Sequence, residues 1–239
     1  MKIVMKELKT NARILMTDHF GSSVFSAFII IVLTSSLFSF SMKLLSGPPS
    51  VMTYITAIAI LLILSLFFDV LRAGIYRVFI KRGRGEKASL GEIFHPFTVR
   101  PDRFLVTALV LTVADVVCVL PAILSGLRAA DPDATHVGSL FITNLLLLLA
   151  GLIILVIIRL SLAQAMPLLL EYPEMGAFEA MALSMRLMKG HRLGLLRLHL
   201  GFIGWYMLAC LSMGMGFFLV LPYHYQARAL FYVQVEANE

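Results

Sequence analysis

Uncharged runs of membrane-crossing length constrain this chain more than any other feature. No Asp, Glu, Lys or Arg lies between Asp18 and Lys43, between Lys43 and Asp69, between Asp133 and Arg159, or between Arg197 and Arg228. About 20 apolar residues cross ~30 Å of hydrocarbon as a helix. A helix of a soluble domain shows one apolar stripe and a charged opposite face; these runs show no such face. The fold class they predict is all-α, a polytopic bundle of five or six transmembrane helices. Composition agrees: 59% of residues are hydrophobic and 14% charged, against about 45–50% and 25% in soluble domains.

Taken in order, the pattern predicts a basic interfacial helix over residues 1–20, spans one and two within 21–71, a basic cytoplasmic loop over 72–103, spans three and four within 104–170, a cytoplasmic amphipathic helix within 171–192, and one or two membrane segments over 193–239. Ser22, Ser23 and Ser26 are small polar residues suited to helix–helix contacts rather than to lipid. Pro48-Pro49 cannot continue a helix without losing hydrogen bonds, so residues 46–50 are expected to reverse the chain. Span two is expected to end near Leu71, and Ser89-Leu90-Gly91-Glu92 to open a short helix with a capping box. Residues 125–137, acidic at Asp131 and Asp133, are expected to form the next loop. Gly214 and Gly216 suit either a kink or a reversal; a reversal sends the chain back as a sixth span.

Two stretches combine cations with an apolar face. Lys2, Lys6, Lys9 and Arg13 stack on one helical face, opposite Val4, Leu8, Ala12 and Leu15. Over residues 176–189 the expected membrane-facing stripe is Phe178, Met181, Met185 and Met188; Glu179, Arg186 and Lys189 form the polar side, and Gly190 closes the helix. Both stretches fit contact with anionic lipid headgroups or with a membrane-protein partner. As plain basic flanks they would fix topology instead.

The Lys and Arg residues number 4, 1, 8, 1, 5 and 1 in successive segments, from the N-terminus to Arg228. This alternation is the positive-inside pattern and predicts a cytoplasmic N-terminus. It also accounts for the net charge of +6 without nucleic acid as a partner, since no basic groove motif accompanies it.

Asp115 stands about midway along span three, where a bare charge is expensive and must be protonated, paired or wet. Arg228 on the sixth segment is its expected partner. Asp69, Arg72 and Arg159 lie near span ends, where long side chains snorkel or pair. His199, Tyr223, His224 and Tyr225 with Gln226 fit a polar pocket, or, with Trp205, an aromatic belt. Cys118 and Cys210 sit inside apolar runs, and neither they nor the histidines show metal-ligand spacing. No nucleophile elbow, phosphate loop or dinucleotide fingerprint is present, so no metal, cofactor or enzyme activity is expected.

The run Ser184-Met185-Arg186-Leu187-Met188-Lys189-Gly190 resembles a Ser-Arg-x-Met-Lys-Gly signature, with Met185 standing between the Ser and the Arg. Gly204-Trp205, Gly214 with Gly216, Pro222-Tyr223 and Tyr232 follow in the same order. Over these roughly 60 residues the chain is similar to the bacterial domain-of-unknown-function family 975. The resemblance implies a multi-span bacterial inner-membrane protein and carries no activity with it. Two functions are therefore expected: an accessory or envelope module that binds lipid or a membrane partner, or a small permease or exporter of an amphipathic solute with Asp115 in its pathway.

Overall fold

The structure is a computed structural model and describes residues 5–45, 51–129 and 137–237. Eleven α-helices follow one another among these residues: α1 (Met5–Asp18), α2 (Phe20–Leu45), α3 (Val51–Gly83), α4 (His95–Thr98), α5 (Pro101–Ala129), α6 (Val137–Ser161), α7 (Ala165–Glu171), α8 (Ala177–Leu187), α9 (Arg192–Leu200), α10 (Ile203–Leu211) and α11 (Phe217–Glu236). A 3-10 turn, Leu90–Phe94, precedes α4, and no strand occurs among the described residues. Five stretches are long and apolar enough to cross a bilayer: Phe20–Lys43, Ala59–Gly83, Pro101–Ala122, Leu140–Glu171 and Arg192–Leu211. The all-α class is as the sequence implied. The proposed reversal at residues 46–50, the acidic residues Asp131 and Asp133, and Lys2 and Val4 lie outside the described residues.

Span two does not stop at Leu71. α3 continues as one helix to Gly83, and its last turns are among the most buried parts of the protein: Ile75, Val78 and Phe79 expose nothing. The cations that interrupt the apolar pattern there are each matched by a partner. Arg77 donates to Glu92 (2.8 Å) and to the Leu170 carbonyl (2.6 Å), Lys81 donates to Glu92 (2.5 Å), and Arg82 donates to Ser23 (3.0 Å) and Ser22 (2.6 Å). A buried cation with hydrogen-bonded partners does not break a helix. Glu92 is thereby used as a counter-ion. The expected capping box is absent, since Ser89 makes no side-chain cap bond. α5 likewise runs to Ala129, through the first part of the expected loop.

Two antiparallel hairpins, α2/α3 and α5/α6, carry most of the exposed apolar surface. Phe38, Ile55, Ile63, Val117, Leu146 and Ile153 all face outward. Where such surfaces meet lipid, which is as apolar as they are, close approach of backbones joins helices more than solvent exclusion does. Gly151 shows this: a Cβ there would collide with the Cys118 carbonyl oxygen of α5.

The C-terminal region turns between α10 and α11, which pack on each other. Met213 (φ 54°) and Gly214 (φ 90°) turn the chain between α10 and α11, and a Cβ on Gly216 would meet the Ala209 Cα at 2.6 Å. α11 is not one of the five bilayer-length apolar stretches. It is a core helix, with Ala227, Ala229, Phe231 and Tyr232 fully enclosed and Gln226 donating to the Phe79 carbonyl (3.2 Å). Arg84 bridges Glu171 and Glu236, so α11 ends beside the ends of α3 and α7. Span five is itself broken between α9 and α10 at Gly201-Phe202.

Both amphipathic helices bury their apolar faces in protein. In α1, Leu8 and Ala12 expose nothing and α1 packs chiefly on α11. Lys9 donates to the Gly201 carbonyl (3.2 Å) and lies over the Phe202 ring, which removes it from the expected lipid-facing row; Lys6 and Arg13 remain exposed. In α8 the buried face is Ala177, Ala180, Met181, Ser184 and Leu187, with Met188 just beyond. Phe178 and Met185 point outward with Arg186 and Lys189, so the expected four-residue stripe is split between two faces.

Candidate functional site: a charged cleft among apolar helices

The family-like signature around Ser184 has a structural reading first. α6 and α7 are separated by a break at residues 162–164. The Ser184 hydroxyl accepts from the Gln164 backbone N–H (3.1 Å) and donates to the Ser161 carbonyl (2.9 Å), satisfying both ends of that break inside the protein. Gln164 reaches the Met188 sulfur (3.5 Å). Gly190, at φ 92°, makes the left-handed step into α9. Among the later motif residues, Tyr223 donates to the Lys9 carbonyl (3.2 Å) and sets its ring edge-on to Trp205, Pro222 is buried within α11, and Tyr232 donates to Glu171 (2.6 Å). Gly204 is exposed with open space around it. These residues knit α1, α7, α8, α10 and α11 together; they do not converge on one site.

A different set does converge. α3, α5, α6, α7, α9 and α11 surround a cleft of about 490 Å³, within the range of small-molecule sites. Its walls are mainly apolar, with Leu111, Val156, Leu160, Met166 and Leu195 among them, yet Asp69, Arg72, Arg159, His199 and Arg228 open onto it. Arg159 is held in two hydrogen bonds by Asp115, one of them 3.0 Å. Arg72 donates to Asp69 (3.4 Å) and to Thr34 of α2 (3.2 Å). Asp69 also lies within electrostatic range of Arg159 and Asp115, so the two ion pairs form one network across the two hairpins.

Asp115 is therefore paired with Arg159, not with the expected Arg228. Consecutive helices are the default neighbours, and α5 and α6 form one hairpin; that signal was available in the sequence and favours Arg159. Arg228 instead stacks near two rings, 5.5 Å from Tyr76 and 6.0 Å from Tyr225. No carboxylate lies within ion-pair distance of it among the described residues. Each cation–π contact stabilises by about 0.5–2 kcal/mol. Among the described residues, Asp69 and Asp115 stand against Arg72, Arg159 and Arg228, a formal excess of one positive charge at the cleft. Tyr76, which helps to hold that charge, carried no signal in the sequence.

His199, at the cleft wall, begins a cluster that continues away from it to His224 and Tyr206. His199 donates to the Leu195 carbonyl (2.8 Å), His224 meets the Tyr206 hydroxyl (2.6 Å), and the two rings stand edge to face at 4.9 Å. Among the described residues no group of three His, Cys, Asp or Glu is placed to hold a metal ion.

No curated protein and no solved structure matches the chain. A family model does match, described as a protein of unknown function, DUF975, over residues 1–239. The chain, with the Ser184-to-Tyr232 residues that tie its helices together, belongs to the DUF975 family.

Proposed function

We propose that this protein is a non-enzymatic, multi-pass binding module of the bacterial plasma membrane that takes an amphiphile from the bilayer, a lipid first of all. One observation carries the reading: a charged network opens onto an apolar-walled cleft among helices of bilayer-crossing length. A ligand suited to it has an apolar body and a polar head. The exporter reading needs Asp115 free to exchange partners along a pathway; its two hydrogen bonds to Arg159 favour a fixed structural charge.

A cytoplasmic N-terminus is part of this proposal. The strongly basic segments gather at one end: Arg82 meets Ser22 and Ser23, Arg77 meets Leu170, and Arg103 donates to the Tyr172 and Met175 carbonyls. The positive-inside tendency puts that end in the cytoplasm. The outward face of α8, with Phe178, Met185, Arg186 and Lys189 exposed, is then a headgroup or partner contact on that side.

The test is to extract the protein gently from its native membrane and identify what accompanies it by mass spectrometry. The expected result is one lipid per chain in the wild type, depleted in Val156→Trp, which fills the cleft from its exposed wall. A stoichiometric protein partner, lost in Arg186→Gln/Lys189→Gln and accompanied by no lipid, would replace the lipid reading.

A further inference from the structure

We infer that the cleft selects an anionic amphiphile, whose single negative oxyanion seats on Arg228 between Tyr76 and Tyr225 while its chain lies along Leu111, Val156 and Leu195. This rests on the lipid-binding reading and adds to it the charge and the chemistry of the head.

The selection follows from the charge inventory of the cleft. Arg159 has two of its donors committed to Asp115, and Arg72 is shared between Asp69 and Thr34. Arg228 lies over the Tyr76 and Tyr225 rings, with no carboxylate within ion-pair distance among the described residues. A ring face offers a guanidinium no hydrogen-bond acceptor, so these contacts leave its N–H edge available. A carboxylate or phosphate oxygen pair matches that edge in two parallel hydrogen bonds. A zwitterionic head would bring its own cation next to Arg228 and the guanidinium groups of Arg72 and Arg159, and like charges in a low-dielectric cleft repel. One net positive charge calls for one negative charge.

Size and wall chemistry point to a lipid as the source, not a free ion. A volume of about 490 Å³ corresponds to roughly sixteen waters at ~30 Å³ each, far more than an inorganic anion needs. Most of the lining side chains are aliphatic and would be left wet by a small anion. A head group with the first part of an acyl chain fills the cleft and leaves the remaining chain in the bilayer.

The experiment uses the full-length protein in detergent, titrated separately with phosphatidylglycerol, phosphatidylcholine and inorganic phosphate and read by native mass spectrometry. One phosphatidylglycerol per chain is expected, in preference to phosphatidylcholine. Arg228→Gln should weaken that binding by about 10- to 100-fold, the range for losing a charge-assisted hydrogen bond, and Arg228→Lys by less. Val156→Trp leaves every charge in place and should block the same lipid, which separates cleft occupancy from any folding defect of Arg228→Gln. Arg186→Gln/Lys189→Gln should have no effect on it. Equal retention of both lipids, or equal affinity in Arg228→Gln, overturns the anion inference and leaves the lipid-binding reading standing. Retention of neither lipid overturns both. Displacement of phosphatidylglycerol by millimolar phosphate in the wild type would make the ligand a free anion and overturn the lipid source.

Discussion

Single side chains in this protein are used mostly to satisfy backbone and charge at places where helices break or meet. Ser184 is the clearest case. Replacing it by Ala removes the hydroxyl that the Gln164 N–H and the Ser161 carbonyl both use inside the protein, and a buried unsatisfied group costs about 1–3 kcal/mol. Ser184→Ala should therefore lower the unfolding temperature in detergent, while Arg186→Ala on the outward face of α8 should leave it within error. Glu92 gives a pH prediction. Burial alone would raise its carboxyl, but the hydrogen bonds from Lys81 and Arg77 outweigh that and hold it below its ordinary value of 4.5. A carboxyl depressed on folding contributes stability that is present above the unfolded-state value and is lost as pH falls through the folded one. The stability difference between wild type and Glu92→Gln should be full at pH 7 and shrink as pH falls below about 4.5. His95 is pushed down by burial and then by Arg77, with the Glu92 charge acting against them, so its own loss begins higher, below about 6.5; because Glu92 acts on it, the comparison is made in a His95→Gln background, where it does not enter the difference. Ser184 was legible in the sequence as part of a signature, though not its role. The hydrogen bonds that define the role come from Ser161 at the end of α6 and Gln164 in the break before α7, 23 and 20 residues away.

Helices in this protein meet by two different physical means. In the part near Gly83, Glu171 and Glu236, large side chains such as Phe79, Phe104, Phe231 and Tyr232 are wholly enclosed, and water exclusion drives the packing. Along α5 and α6 the neighbours are as apolar as lipid, and close backbone approach takes over. Gly151→Leu should consequently destabilise the packing of α5 on α6, read as a lower unfolding temperature. Gly204→Ala is the contrast: nothing lies near its Cβ position, and replacing a helical Gly by Ala should be neutral or stabilising by up to about 1 kcal/mol. Helix number and type were readable from hydropathy, but helix ends were not. Arg72, Arg77, Lys81 and Arg82 read as a loop because charge in a sequence signals water. In the folded protein those charges face Asp69, Glu92, Ser22, Ser23 and backbone carbonyls, and the helix continues.

At the scale of the whole molecule, α11 decides the arrangement. It returns antiparallel to α9 and α10, serves as the packing surface for α1, and ends at Glu236 on Arg84. Both basic termini of the hairpins and the end of α11 therefore share one side. In a Cys118→Ser/Cys210→Ser background, Glu86→Cys and Ala237→Cys should react with an impermeant maleimide from the same face of sealed vesicles; labelling from opposite faces would refute the arrangement. Hydropathy and charge alternation alone determined the all-α class, the apolar lengths and the gathering of cations in alternate segments, because a bilayer reads those properties residue by residue along the chain. They also singled out Asp115, since a carboxylate inside an apolar run is conspicuous without any structure. What only the tertiary structure decided is which charge meets which. Asp115 faces Arg159, Arg228 faces two tyrosines, and the cleft between them exists because six helices from distant parts of the chain leave that space. Pairing depends on distance and direction across helices, and those are properties of packing that no single stretch of sequence contains.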